Sequence, residues 1–421
     1  MRFKPLAAAL VVLVVASFPL RSGSGFGQRF VSASCLAAGA PWMLGETAAA
    51  GAESPPAGPV LRLVTFNLHS GLGPGVGFYR TRATVERHLE GIAAAIVETA
   101  ALPDAVGLNE VDFEARRSGG FDQARYLADA LERLAGARYT VVYGETWRRT
   151  LPGLEARFGN ALLVRHSVLA QAACLYEDAD ACARGPAGDL PSLRAAGLLD
   201  RLTREARGLV RATIDFHDAP VDILVTHLDA FALAEREAQA AHLVRRIVDP
   251  SRTTVVLGDF NAVPTVMTHE RAFLAADRTH DILTSGALAD ARVLYAARVG
   301  VRDFAAWATY PASAPAWPLD GVLGSLDLLP ADVRVVESPY SDHHGLYVEY
   351  RLLRDAAAIA DQRARHDAIR RRQLARIVDC DLVQAGAAQR RWLATGTGFA
   401  EVASGVQRAM LTAPLQEAKR R

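Results

Sequence analysis

The stretch Val255-Val256-Leu257-Gly258-Asp259-Phe260-Asn261-Ala262-Val263-Pro264 constrains this chain more than any other. Three aliphatic residues make a short buried strand, Gly258 permits a tight turn and Pro264 stops continuation. Asp259 and Asn261 therefore project together from a strand end. A carboxylate and an amide at i and i+2 share a face, where one holds a proton or orients water and the other donates N–H bonds to an anionic oxygen. A capped strand followed by an Asx-turn accounts for the same residues without chemistry. What the other strand ends carry decides between the two.

Residues 61–69 read as a strand with Asn67 and His69 at its polar end. The glycine-rich loop after it lacks the Lys-Ser, Lys-Thr or G-x-G-x-x-G spacing of a phosphate loop. Apolar residues at helical spacing over 84–100 stop at Leu102-Pro103-Asp104, before a strand over 105–111. Glu110 ends that strand, and a carboxylate beside Val and Leu is costly unless paired or bound to a cation, which makes it a candidate hard-metal ligand. A basic turn, Arg116-Arg117-Ser118-Gly119-Gly120, precedes a helix over 124–135; strands follow over 139–143 and 158–164, with Asn160 at the entrance of the second. Residues 174–202 read as a long loop. A hairpin over 208–216 and 221–229 contains His227, which by itself reads equally as a satisfied core histidine. A helix over 235–247 leads into the strand at Val255. Asp320 follows an apolar residue on another strand, and Asp342 and His343 immediately precede the last one, so Asp320 is a candidate to fix a histidine tautomer.

With 421 residues, half of them apolar and 22% charged, the chain can bury a full core. A net charge of +1 argues against a DNA-coating basic surface over the whole molecule. Residues 1–24 have a basic start, a short apolar middle and a small-residue exit, the layout of a signal peptide or an uncleaved N-terminal anchor; either predicts an exported protein, periplasmic or secreted. Residues 25–59 read as a flexible linker. The four cysteines lack zinc-site spacing, and a Cys174–Cys182 disulfide fits an exported chain. The extension over 353–421 is helical in pattern and basic: from Arg351 onward 14 Lys and Arg stand against 7 Asp and Glu. It reads as a solvated helical appendage, packed on the core by its apolar stripe, or as a contact for an anionic surface, membrane or nucleic acid.

In order, Thr65-Phe66-Asn67, Leu108-Asn109-Glu110-Val111, Gly159-Asn160-Ala161, Thr226-His227-Leu228, Gly258-Asp259-Phe260-Asn261, Leu319-Asp320 and Ser341-Asp342-His343 make the region 60–352 resemble the endonuclease/exonuclease/phosphatase superfamily, with its deoxyribonuclease-I-like fold. Arg117-Ser118-Gly119-Gly120 with Asp122-Gln123 is similar to a bacterial subgroup of metal-dependent hydrolases. The resemblance implies an α+β chain: a four-layer α/β/β/α sandwich with two stacked mixed β-sheets. It implies a Mg²⁺ or Mn²⁺ site at Glu110 with Asn67 and Asp342, and Asp259 positioning or deprotonating the attacking water. It gives Asn261 a phosphoryl contact, leaves Asn160 among the catalytic groups, and sets His343 (paired with Asp320) and His227 to neutralise charge on the phosphate, one of them acting as acid or base. Asn109 departs from the family's usual Gln, and His344 is also unusual. The implied substrate is a phosphate ester, whether nucleic acid, phospholipid or small phosphoester; the N-terminal segment and the basic tail are the candidate membrane contacts, and a monomer is the expected state. The contrasting expectation is a catalytically silent exported binding or scaffold protein on the same fold.

Overall fold

A computed structural model describes residues 58–75, 79–149, 156–176, 206–264, 277–301 and 304–371. The expected signal or anchor, the linker before residue 58, and the tail beyond residue 371 lie outside the described residues. Among the described residues no helix is long and apolar enough to cross a membrane.

Twelve strands form two six-stranded sheets. The first contains β1 (Val60–Asn67), β2 (Ala105–Phe113), β3 (Thr140–Arg149), β4 (Ala156–Val164), β11 (Leu328–Val336) and β12 (Gly345–Leu352), in the order β11-β12-β1-β2-β4-β3. The second contains β5 (Val168–Leu175), β6 (Gly208–Phe216), β7 (Ala219–His227), β8 (Thr253–Asp259), β9 (Leu288–Asp290) and β10 (Asp320–Ser325), in the order β5-β6-β7-β8-β10-β9. Both sheets are mixed: β1–β2 and β7–β8 run parallel, whereas the other pairs run antiparallel. Helices α1 (Arg82–Ala100) and α2 (Gln123–Ala135) cover the outer face of the first sheet, and α3 (Leu233–His242) covers that of the second. The result is the four-layer α/β/β/α sandwich.

Local chemistry sets these elements. Thr81 and Asp122 cap α1 and α2 by accepting from the backbone N–H groups of Thr84 and Arg125. Gly136 ends α2 in the left-handed conformation. Along α1, Val85, Leu89, Ile92 and Ile96 form one buried stripe. The β6–β7 connection is a two-residue turn whose central residues, His217 and Asp218, both have positive φ, the geometry that matches strand twist.

Strand alternation then builds the core between the sheets. Leu61 and Leu63 of β1, Val221, Ile223 and Val225 of β7, and Val255 and Leu257 of β8 all point into it. The sheets approach so closely at β2 that a Cβ on Gly107 would lie 1.9 Å from Leu257 Cδ1.

Several elements carry no clear sequence pattern. β5 has a single buried residue, β9 has three residues, and the edge strand β11 contains Pro330 beside an irregularity in register. β3 runs well past the expected 139–143, and β5 occupies the start of the expected loop. Helix α4 (Thr279–Leu283) and helix α5 (Ala291–Val299) are short. The expected helix over 235–247 ends as a π turn, Leu243–Ile247. Helix α6, over residues 356–371, docks on the sandwich: Ile369 enters the core, and Gln362 Nε2 donates to the carbonyls of Leu326 (2.8 Å) and Leu328 (2.9 Å).

Candidate active site

The alternation that fills the core also creates the site. Continuing each inward-facing series to the strand's end reaches Asn67 on β1, Asn109 on β2, His227 on β7 and Asp259 on β8; Asn160 and Asp320 occupy equivalent places on β4 and β10. Register aligns them, with Asn67 opposite Asn109, His227 opposite Asp259, and Asp259 opposite Asp320. The apolar core thus ends in a layer of buried polar groups at one rim.

Asp259 is the centre of that layer. Its backbone N–H donates to Asn109 Oδ1 (2.8 Å), and its Oδ1 accepts from the N–H of Asn261 (2.9 Å). Its Oδ2 accepts from Asn67 Nδ2 (3.1 Å), while His227 Nε2 and His343 Nε2 stand 3.5 and 3.7 Å away, too far for good hydrogen bonds. Burial pushes the Asp259 carboxyl up to about 6, against the pull of the His343 cation and with Asp320 adding repulsion.

His343 donates from Nδ1 to Asp320 Oδ2 (2.8 Å), and its ring lies 4.7 Å from that of Tyr310. Burial alone lowers the His343 imidazole, but the Asp320 carboxylate, with Asp259 and Asp342 beyond it, raises it to about 10. Asp320 is itself held from behind. Arg292, fully buried, donates from Nη1 to the carbonyls of Asp320 (2.7 Å) and Pro318 (3.1 Å), and from Nε and Nη2 to the two carboxylate oxygens of Asp290.

Glu110 occupies an irregularity in β2, where the register to β4 shifts between Leu108 and Val111. Its φ of 54° is strained for a residue with a Cβ, and Asn261 is similar at 48°. The bulge turns Glu110 out of the strand's alternation and toward the mouth, where Asn67 Nδ2 donates to its Oε1 (3.1 Å). Asp342 lies nearby: burial raises its carboxyl, Glu110 adds repulsion, and His69 and His343 oppose. His69 Nδ1 is 3.5 Å from Asp342 Oδ1.

Glu110 and Asp342 are partly exposed carboxylates, the charge of the first adding to the burial that raises the second, and such an oxygen donor set could hold a divalent cation. Asn67, expected at the same metal site, sits beside Glu110. Its Oδ1 accepts from the His69 N–H (3.0 Å), which fixes the amide and directs Nδ2 to Glu110 and Asp259, so it bridges the two carboxylates. Among the described residues, Asp259, Asp320 and His343 also bring ligand atoms within 4.8 Å of one another. Asp320 Oδ2 is committed to His343, and Glu110 and Asp342 are the carboxylates beside this trio that could hold a divalent cation.

Two expected site residues face inward. Asn160 accepts from Asn109 Nδ2 (2.9 Å) and donates to the carbonyl of Gly208 (3.0 Å), while Asn109 also donates to the carbonyl of Thr226 (3.0 Å). These amides stitch the sheets together and set the backbone of Asp259. Asn261 spends one N–H on the carbonyl of Leu228 (3.0 Å). Three contributors carried no signal in the sequence: Arg292, Arg207 (whose Nη1 is 2.8 Å from His227 Nδ1), and Tyr310 over His343. Of the expected disulfide, Cys174 is disulfide-bonded, and Cys182 lies outside the described residues.

A family model described as "Endonuclease/Exonuclease/phosphatase family" matches residues 64–343. Among solved structures, the chain is similar to an endonuclease/exonuclease/phosphatase from Beutenbergia cavernae, at 22% identity and a TM-score of 0.52 over 70% of this chain and 72% of that one. It also matches an endonuclease/exonuclease/phosphatase family protein from Leptotrichia buccalis (16% identity, TM-score 0.49, 69% of this chain and 100% of that one). A third match is a humanized D. rerio TDP2 (15% identity, TM-score 0.43, 69% and 99%). The first of these likenesses supports the fold. No curated protein matches the chain in sequence.

Proposed function

Because the chain belongs to the endonuclease/exonuclease/phosphatase family, whose members are generally phosphate-ester hydrolases, we propose that it is a divalent-metal-dependent phosphoesterase acting by in-line attack of water at phosphorus. The observation that carries this reading is the convergence of Asn67, His227 and His343 on Asp259 Oδ2 at 3.1, 3.5 and 3.7 Å. Two histidine Nε2 atoms facing one carboxylate without a good hydrogen bond to it would present donors to a phosphoryl group at the rim while Asp259 faces the attacking water.

Asp259 accepts the proton of the water. Its backbone, fixed by Asn109, and its Oδ1, fixed by the Asn261 N–H, leave Oδ2 directed at the nucleophile. His343, charged and held by Asp320, stabilises the negative charge that grows on the phosphoryl oxygens. Glu110 and Asp342 would hold Mg²⁺ or Mn²⁺, which when bound supplies charge neutralisation at the same oxygens. The substrate is a phosphate ester whose class (nucleic acid, phospholipid or small phosphoester) the test below distinguishes. Export through residues 1–24 belongs to the same reading. It is supported by the disulfide at Cys174, since such bonds persist in oxidising compartments. An apolar N-terminal run retained on protein recovered from the cytosol would contradict it.

The test is metal-dependent product release from linear and supercoiled DNA, RNA, sphingomyelin, inositol phosphates and bis-p-nitrophenyl phosphate, with Asp259→Ala beside the natural chain. Hydrolysis of one substrate class that vanishes in the variant supports the proposal. Metal affinity absent and all substrates untouched would favour the silent binding protein.

A further inference from the structure

The two histidines that face Asp259 have opposite groups behind them. Behind His343 Nδ1 is the Asp320 carboxylate; behind His227 Nδ1 is the Arg207 guanidinium, with Nη1 at 2.8 Å. Both members of the second pair are buried, Arg207 at 8% exposure and His227 at 4%. A guanidinium has five N–H groups, no lone pair with which to accept, and no accessible neutral form. The contact therefore has one polarity. Arg207 donates, and His227 Nδ1 accepts through an unprotonated lone pair. The single proton of the neutral ring must then sit on Nε2, the atom that faces Asp259 Oδ2 at 3.5 Å.

We propose that Arg207 is a positioning residue that locks His227 as the neutral Nε2–H tautomer, making it a fixed hydrogen-bond donor to the phosphoryl group and excluding it as a proton carrier. A ring protonated on Nε2 has no lone pair there to receive a proton, and surrendering that proton would leave an imidazolate. A second proton on Nδ1 would confront the guanidinium in a buried site. Burial, Arg207 and the nearby His343 accordingly hold the His227 imidazole well below its ordinary range. The two histidines divide the work: His343 brings the charge, and His227 brings direction.

The choice of phosphoryl oxygen as the donor's target rests on the phosphoesterase reading; the tautomer does not. It is read without turnover, by long-range ¹H–¹⁵N spectra of the full chain labelled with ¹⁵N-histidine at neutral pH, with the His227 signals identified by their loss in His227→Gln. The expected pattern is an unprotonated Nδ1 and a protonated Nε2, kept in Arg207→Lys, which still only donates, and replaced by mixed tautomers in Arg207→Met. On the substrate hydrolysed, His227→Gln, whose amide N–H stands near the place of Nε2–H, loses no more than about tenfold in kcat, while His227→Ala loses on the order of 10²-fold. A protonated Nδ1 in the natural chain, or equal losses in the Gln and Ala variants, would overturn the proposal. Absence of hydrolysis with the expected tautomer present would instead strike at the phosphoesterase reading.

Discussion

Replacing Asp320 by Asn isolates what its charge does. The side chain is fully buried, its Oδ2 meets His343 Nδ1 at 2.8 Å, and its backbone carbonyl is held by Arg292 at 2.7 Å. Asn has nearly the same shape and keeps the backbone anchors, so the fold should survive. The charge on the ring next door should not. His343 is raised to about 10 only because its carboxylates outweigh burial, and Asp320 is the foremost of them. Without Asp320, burial pulls the imidazole down, opposed by Asp259 and Asp342 alone. A hydrogen bond to a charged group contributes about 1.5–3 kcal/mol. If that interaction is realised in the transition state, its loss lowers kcat by about 10- to 150-fold. The pH profile supplies the sign. In the natural chain the charged form of His343 persists as pH rises until it approaches about 10, whereas in Asp320→Asn it should fade at a lower pH. Steady-state rates of the two proteins from pH 5.5 to 9 would show the variant's deficit widening with pH. A variant within twofold of the natural chain at all pH values, with a superimposable profile, would refute the claim that Asp320 keeps His343 charged for catalysis.

Other consequences are structural. Gly258 has φ of 145°, and a Cβ there would lie 1.9 Å from the carbonyl oxygen of Thr226, so Gly258→Ala should push β8 from β7 beside Asp259. We expect at least about 2 kcal/mol lost in urea unfolding together with lost activity, and a stability within about 0.5 kcal/mol of the natural chain would contradict this. His366, on the docked α6, is lowered to about 4 by burial first and by Arg370 and Arg363. Its folded value lies below its unfolded one, so stability is complete above about pH 6.5 and falls as pH drops toward 4, by up to about 3 kcal/mol. Hydrogen exchange of residues 356–371 should accelerate over that window in the natural chain and much less in His366→Gln; identical pH dependence in both would refute the assignment.

The strand-end polar residues were legible because they obey the same period of two as the core: the parity that buries Val221, Ile223 and Val225 leads to His227, and the one that buries Val255 and Leu257 leads to Asp259. Glu110 breaks this parity, and its carboxylate beside apolar residues marked it regardless. The uses of the amides were hidden, since Asn160 is bound to Asn109 and Gly208, partners that strand pairing and sheet stacking supply and linear order does not. Arg207 and Arg292 were hidden for a related reason. An arginine in sequence reads as surface, whereas in the fold Arg207 meets His227, and Arg292 meets Asp290 and the Asp320 carbonyl. β5, β9 and β11 escaped because exposure, shortness and an internal proline remove the alternation by which a strand is read.

The most direct measurement is the rate of phosphodiester hydrolysis as a function of Mg²⁺ and Mn²⁺ concentration, for the natural chain and for Glu110→Ala, in water enriched in ¹⁸O. The account predicts negligible turnover after chelation, saturable restoration by either metal, at least about 10²-fold loss in Glu110→Ala, and one solvent oxygen in the phosphorus-containing product. Hydrolysis that persists in chelator, or that is undiminished in Glu110→Ala, would contradict it.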